Sequence, residues 1–229
     1  MAYLIFQSDK ILVFATANSS NTKTGPGTHL WIMDRSMHPV ESRKTGNDAK
    51  TCCGGCRLAS NNGCYSTPLP LMQIWKSYIE GLTPFVEPGS SRWSQLFVNQ
   101  FVRFGAYGNP SMIPLPLVRR IIKDCRAHTG YFHDWAILKP SIARAYGKYF
   151  MASCDETNWE QAHALNLRTY TVSSKPLKNH TECLNVTKYL PCNVCCLCSG
   201  TKGGTKHVAI RAHGYQIKKA QKNTELVVS

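Results

Sequence analysis

The stretch KYFMASCDETNWEQAHALNLRTYTVS, residues 148–173, decides the fold. KYFMASCD (148–155) and LRTYTVS (167–173) are rich in apolar, aromatic and β-branched residues, as buried strands are. NWEQAHALN (158–166) between them has the spacing of a short helix. Strand, helix and strand in so short a span is a crossover unit, and crossovers imply parallel pairing. The alternation continues outward. FVRFGAYG (101–108) reads as a buried strand ending in a Gly-Asn-Pro turn, LPLVRRIIKDCRAH (115–128) as a helix, TGYFHDW (129–135) as an extended segment and HVAIRAHG (207–214) as a last strand.

Upstream, residues 3–17 and THLWIMD (28–34) predict a hairpin-like start, and PLMQIWKSYIEGL (70–82) sets Leu71, Ile74, Trp75, Tyr78 and Ile79 at helical spacing. Residues 35–50 are polar and basic without a period, and residues 175–206 break the alternation. The expected architecture is α/β, with a mostly parallel sheet or a partial β/α barrel that carries Cys-rich metal-binding loops. Residues 1–229 are expected to form a single α/β domain with Cys-rich loops at 51–65 and 183–206 and a basic tail at 215–229. In such folds ligand sites gather at the carboxyl ends of the strands, where FGAYGNP, YFHDW and ASCDE fall.

With 229 residues and 43% hydrophobic content, the chain buries a core without staples. Twenty-seven Lys and Arg against thirteen Asp and Glu leave a net charge of +14, which favours phosphate-bearing partners such as nucleic acid. The opening MAYLIFQSDKILVFATANSS lacks a basic leader, and Asp9 and Lys10 interrupt its apolar run. It makes a poor signal peptide and is too short to span a membrane, so a cytoplasmic protein with no membrane partner is expected. Thiols stay reduced in that compartment, and eleven cysteines in two clusters then point to metal rather than disulfides.

The second cluster, PCNVCCLCSG (191–200), spaces Cys192, Cys195 and Cys198 as Cys-x-x-Cys-x-x-Cys, with Cys183 upstream as a fourth ligand and Cys196 as a bystander. The first cluster, TCCGGCRLASNNGCY (51–65), offers Cys53, Cys56 and Cys64, with Cys52 spare. Three thiols are completed by Cys52, by a histidine or by the other cluster, or they hold an iron–sulfur cluster with one open iron. Four thiolates suit zinc as well as an iron–sulfur cluster, and the spacing does not separate them. Cys125, on the apolar side of a helix, and Cys154, at a strand end, read as packing residues.

Outside the cysteines, Arg103 and Tyr107 near the glycine-lined turn, and His133 with His128 and Asp134, fall at neighbouring strand ends and are the candidate catalytic residues. There is no P-loop, no GxGxxG and no Ser-His-Asp order. Lys202, Lys206, Arg211, Lys218, Lys219 and Lys222 are the candidate nucleic-acid contacts.

Taken in order, SSNTKTGPGTHLWIM, HPVESRKTGNDAKTCCGGC, GCY, RFGAYGNP, TGYFHDW, MASCDE, LRTYTV and CNVCCLCSG, ending in AIRAHG, resemble a family of uncharacterised Cys-rich proteins carried by phages and plasmids. The resemblance runs from about residue 10 to residue 214 and maps the family's cysteine loop onto Cys53, Cys56 and Cys64. Asn109 stands where that family usually carries Asp. It implies a mobile genetic element and a bacterial host cytoplasm, but no reaction. More loosely, a three-cysteine loop followed by β/α units and a later Cys-rich segment resembles the layout of radical S-adenosylmethionine enzymes with an auxiliary cluster. The thiol spacing here departs from their usual CxxxCxxC.

The leading expectation is a basic metalloprotein, Cys-ligated to zinc or iron–sulfur, that contacts nucleic acid or a nucleic-acid-processing machine of the host. Two alternatives remain: an iron–sulfur enzyme of radical-SAM-like layout with S-adenosylmethionine as cofactor, and a surface-binding inhibitor of a host defence protein whose metal is structural. The oligomeric state is not legible in the sequence.

Overall fold

A computed structural model describes residues 1–211 apart from 20, 61, 65 and 175. The elements run β1 (Ala2–Gln7), β2 (Ile11–Thr16), β3 (Thr28–Asp34), α1 (Pro39–Thr45), α2 (Asn47–Lys50), α3 (Leu69–Ile79), α4 (Ser91–Phe97), β4 (Phe101–Tyr107), α5 (Leu115–Asp124) and β5 (Ala127–Thr129). They continue with β6 (Tyr131–Phe132), α6 (Pro140–Gly147), β7 (Met151–Asp155), α7 (Trp159–Ala164), β8 (Thr169–Ser173), β9 (His180–Glu182), α8 (Leu184–Lys188), α9 (Cys192–Cys195) and β10 (His207–Arg211). Two five-stranded sheets result, ordered β1-β2-β3-β4-β5 and β6-β7-β8-β10-β9. The class is α/β, and the pairing is parallel from β3 onward.

The strands read correctly where they are buried on both faces. β2 (ILVFAT) is buried along almost its whole length, the pattern of an interior strand, and pairs antiparallel with β1 and β3. The Ser8 hydroxyl closes the β1–β2 turn by accepting from the Lys10 and Ile11 amides. The 148–173 unit folds as a crossover, with β7 and β8 parallel and α7 between them. Phe14, Leu30, Ile32, Phe104, Phe132 and Phe150 lie in the main apolar core, and Met151, Cys198 and Val208 form a smaller cluster.

Residues 35–50 differ from their sequence reading: they form α1 and α2. Pro39 opens α1, the His38 ring accepts from the Val40 amide, and Gly46, at φ 77°, closes it. What packs the pair down is buried Asp34 at the end of β3, whose carboxylate accepts from Ser36, Ser42 and Asn47. This is a tertiary anchor that periodicity does not register.

Gly130 joins the sheets. β5 and β6 flank it, its N–H donates to Cys198 O (3.0 Å), and its carbonyl accepts from Met151 N (3.1 Å). A Cβ there would stand 2.7 Å from the Phe150 ring. The chain thus crosses from one sheet to the other along one path, and the strands do not close into a barrel. Among the described residues no helix is long and apolar enough to cross a membrane.

Gly108, just past β4, has φ +81°, and a Cβ would lie 2.4 Å from Ile32 O and 3.1 Å from Cys52 O. Gly108→Ala therefore combines left-handed strain with a backbone clash. It is expected to lower unfolding free energy by about 2–4 kcal/mol in a urea titration; a change below about 0.5 kcal/mol contradicts this packing.

Candidate functional site

The first cysteine group and Cys192, Cys195 and Cys198 of the second lie at opposite ends of the parallel strands, whereas Cys183 follows β9 at its carboxyl end, where its amide donates to Ala209 O (2.8 Å). The first sits over the carboxyl ends. Asn109 N, after β4, donates to Cys52 O (2.7 Å), and Arg57 pairs with Asp155 at the end of β7 (3.0 Å). Gly54 packs against Asn109 and Asp134, which follow β4 and β6. Residues 192–202, which carry the rest of the second group, cover the amino ends. Cys192 N and Asn193 N donate to Lys23 O and Thr24 O ahead of β3. Lys202 N donates to Lys148 O ahead of β7. Arg168, ahead of β8, donates to the carbonyls of Leu197, Gly200 and Lys206.

In the first group the Cys52 and Cys53 amides donate to Asp48 O at the end of α2, and Gly54 and Gly55, both at positive φ, turn the chain so that Cys56 N donates to Cys53 O. Cys52 and Cys53 bring their sulfurs to 3.9 Å. The Asp48 carboxylate is buried beside them. It accepts from Tyr107 Oη (3.0 Å), Ser60 Oγ (2.7 Å) and Ala49 N (2.8 Å), and the Cys53 sulfur stands 4.0 Å away. The Cys53 thiol is pushed up by its bond to Cys52 and by burial, and the Cys56 thiol is pushed up to about 11 mainly by burial. Burial also raises Cys64, against the opposing pull of the Arg43 charge. The Tyr107 hydroxyl is likewise raised by burial and by the neighbouring thiols and Asp48.

In the second group Cys192 lies within electrostatic reach of Cys183 and Cys195, and Cys198 within reach of Cys192 and Cys183. Cys198 is buried in contact with the Tyr131 hydroxyl, and burial pushes it up to about 12. The Arg103 guanidinium sits 4.3 Å from the Tyr131 ring centre and favours the thiolates of Cys192 and Cys198. Cys196, the residue closing α9 at φ 51°, turns its sulfur to Asn193 O and lies near Arg126 and Cys125.

The sequence candidates thus divide along β4: Arg103 faces the second group and Tyr107 the first. His133 lies near Asp134 and Arg103, and burial holds its ring down at about 4. His128 is tied to Tyr149 O (2.9 Å), and Asp134 accepts from the Ser111 hydroxyl. Cys125 caps α5 half-buried, and Cys154 is buried in β7. Lys202 is exposed with its ammonium 5.2 Å from the Tyr149 ring centre, Lys206 is exposed, and Arg211 pairs with Glu182 (3.3 Å). Lys218, Lys219, Lys222 and the tail 215–229 lie outside the described residues.

Among the described residues no three His, Cys, Asp or Glu side chains converge in metal-holding geometry. The donor chemistry nevertheless fits a soft metal: each group gathers one buried thiol, Cys53 or Cys198, with half-buried ones, and displacing their protons is what a metal ion does. Fully buried Asn109 adds to the fit at the first group. Its Oδ1 accepts from the Ser111 and His133 amides, which leaves Nδ2 without a partner against Gly54, where a Cβ would be 2.2 Å away.

No protein-family model, curated protein or solved structure matches the chain.

Sequence reasoning missed Asp48 and Arg43, single residues in a stretch without a period, and the burial of Asn109. It also missed a histidine cluster. His180 and His207 are register partners on β9 and β10, with ring centres 5.2 Å apart, and His163 of α7 stands 4.9 Å from His207. The Thr169 hydroxyl contacts both His180 and His207 (3.0 Å each). Burial, then the charges of His180, His163 and Arg168, lower His207 to about 4, and His180 is also lowered, chiefly by burial. Between pH 4 and 6.5 the unfolded chain therefore binds more protons than the native one. Stability is expected to be fully present above pH 6.5 and to fall as the pH drops towards 4, with a shallower slope in His207→Gln. Denaturant melts across this range check it, and an identical slope in the variant contradicts it.

Proposed function

We propose that this chain is a two-centre metalloprotein, with a working centre at Cys53, Cys56 and Cys64 and a structural one at Cys183, Cys192, Cys195 and Cys198. The observation that carries this reading is the placement of the first group and of Cys192, Cys195 and Cys198 at opposite strand ends, with Cys183 reaching the latter from the end of β9. In parallel α/β folds the carboxyl ends host ligands and chemistry, whereas the amino ends serve stability. Tyr107, Asp48, Asn109, His133 and Asp134 accompany the first group there. The second group instead ties β10 and its approach to the starts of β3, β7 and β8.

Three thiolates leave one coordination position of a zinc ion or of one iron open to a ligand, and such a centre supplies Lewis-acid or one-electron chemistry when bound. Tyr107 and Asp48 hold the floor of that site by their mutual hydrogen bond, and Asn109 positions the Gly54 turn. This favours the enzyme reading, with S-adenosylmethionine retained as a candidate co-substrate of an iron–sulfur form. The sequence resemblance to phage- and plasmid-borne proteins supports a bacterial host cell as the setting.

A second reading rests on the net charge of +14 and the exposed Lys202 and Lys206: this surface contacts nucleic acid or a host nucleic-acid machine. The two readings are compatible, since these lysines lie at the end of the strands away from the first group.

Anaerobically purified protein is expected to carry metal at both groups, and a brown colour with a sulfur-to-iron band identifies the iron–sulfur form. Cys56→Ser should remove one centre and leave the melting temperature nearly unchanged. Cys198→Ser should lower it by about 10 °C or more, because metal binding there is folding energy. Equal losses in both variants, or metal-free wild-type protein, contradict the division of roles. For the surface, replacing Lys202 and Lys206 by Ala should reduce the slope of log affinity against log salt by about 2 for single-stranded or duplex DNA; an unchanged slope excludes these lysines.

A further inference from the structure

Arg43 of α1 is 3% exposed, yet no carboxylate lies within 4 Å of it among the described residues. Its Nη1 donates to Ser66 O (2.8 Å), two residues beyond Cys64, and its guanidinium carbon is 5.9 Å from the Tyr107 ring centre. Its Nε–H is buried without a partner among the described residues. Leaving a charged donor unpaired in the interior is costly, and native structures rarely do so without a reason. The nearby carboxylate that would neutralise it, Asp48, is instead taken up by Tyr107, Ser60 and Ala49. On the other flank of the same loop, Asn109 Nδ2 is a second buried donor without a partner. Two orphaned donors therefore adjoin one cysteine loop, both too deeply buried to meet a ligand arriving from solvent. Negative charge on the loop's own sulfurs would satisfy them, and the Arg43 charge already acts on the Cys64 thiol.

We infer that the Cys53, Cys56 and Cys64 centre is anionic when loaded, and that Arg43, with Asn109, supplies the hydrogen bonds to its sulfur atoms and balances its charge. This rests on the reading of that loop as a metal centre. Arg43 is then a positioning and charge-balancing residue: it touches thiolate sulfur, not a substrate. Three thiolates on a divalent ion carry a net negative charge, as does a three-thiolate iron–sulfur cluster, so the inference holds for either metal. A cationic or neutral centre would leave Arg43 as uncompensated as it stands without metal.

The test uses the full chain, reduced, stripped of metal and titrated anaerobically with Co2+, whose thiolate charge-transfer bands count sulfur ligands, followed by chelator competition. Arg43→Met keeps the side chain's bulk and removes charge and donors, while Arg43→Lys keeps the charge alone. Outer hydrogen-bond partners of metal ligands are worth 10–100-fold in affinity. Arg43→Met is expected to lose that much at the first centre only, with unchanged affinity at the second, and Arg43→Lys to recover part of it. Arg168→Met, which removes a buried arginine remote from that loop, should leave the first centre unaffected. Equal affinity of wild type and Arg43→Met at the first centre overturns the inference. Should wild-type protein bind no Co2+ that Cys56→Ser abolishes, the metal reading of the loop fails instead, so the two failures are distinguishable. If Arg43→Met does not fold, Arg43→Lys and Arg43→Gln carry the same comparison, and full affinity in a folded Arg43→Gln also overturns it.

Discussion

Every functional feature of this chain depends on the shared polarity of its parallel strands. From β3 onward each strand points the same way as its neighbours, through β4, β5, β6, β7, β8, β10 and β9. Parallel pairing forces every connection to leave at one end and return at the other. Loops are therefore sorted into two populations that do not mix. The first cysteine segment belongs to one population and Cys192, Cys195 and Cys198 to the other, and β4 runs from the Arg103 side to the Tyr107 side like an axle between them.

The first segment owes its position to a chain of anchors. Asp34 at the end of β3 collects the side chains of Ser36, Ser42 and Asn47, which lays α1 and α2 against the sheet. Those helices deliver Arg43 and Asp48 to the interior. Asp48 then fixes Cys52, Cys53 and Tyr107. Removing charge from the surface of such a region has little effect, whereas removing any of these buried groups leaves its partners unsatisfied, with a cost of about 1–3 kcal/mol each.

How much of this was legible follows from what each feature leaves in the sequence. The 148–173 crossover was legible because β7 is buried nearly throughout, β8 is β-branched and alternates buried with half-buried positions, and a helix separates them. The cysteine spacing is plain in the sequence, but among the described residues it brings no three side chains into metal-holding geometry. The helices over 39–50 were not, because a proline start, a histidine cap and a distant carboxylate make them, and none of these is periodic. The histidine cluster was equally hidden: residues 163, 180 and 207 meet only because β10 aligns His207 with His180 and α7 packs beside them. Asn109 read as a turn residue, and its complete burial was not legible, since it comes from the first cysteine loop folding over it.

The strand order β8-β10-β9 has a consequence for how the protein is made. β9 lies next to β8 in sequence but not in space; it has no strand to pair with until β10, emerging after it, takes the place between them. Until then β8 presents an open edge and β9 has no strand to rest on. β9 and β10 are thus the last described strands that can pair, and an unpaired edge is the surface on which chains aggregate. The 24 residues between them, with five of the eleven cysteines, already find partners ahead of β3, β6 and β7, so the segment that links the two late strands is held to the earlier part of the chain before they meet.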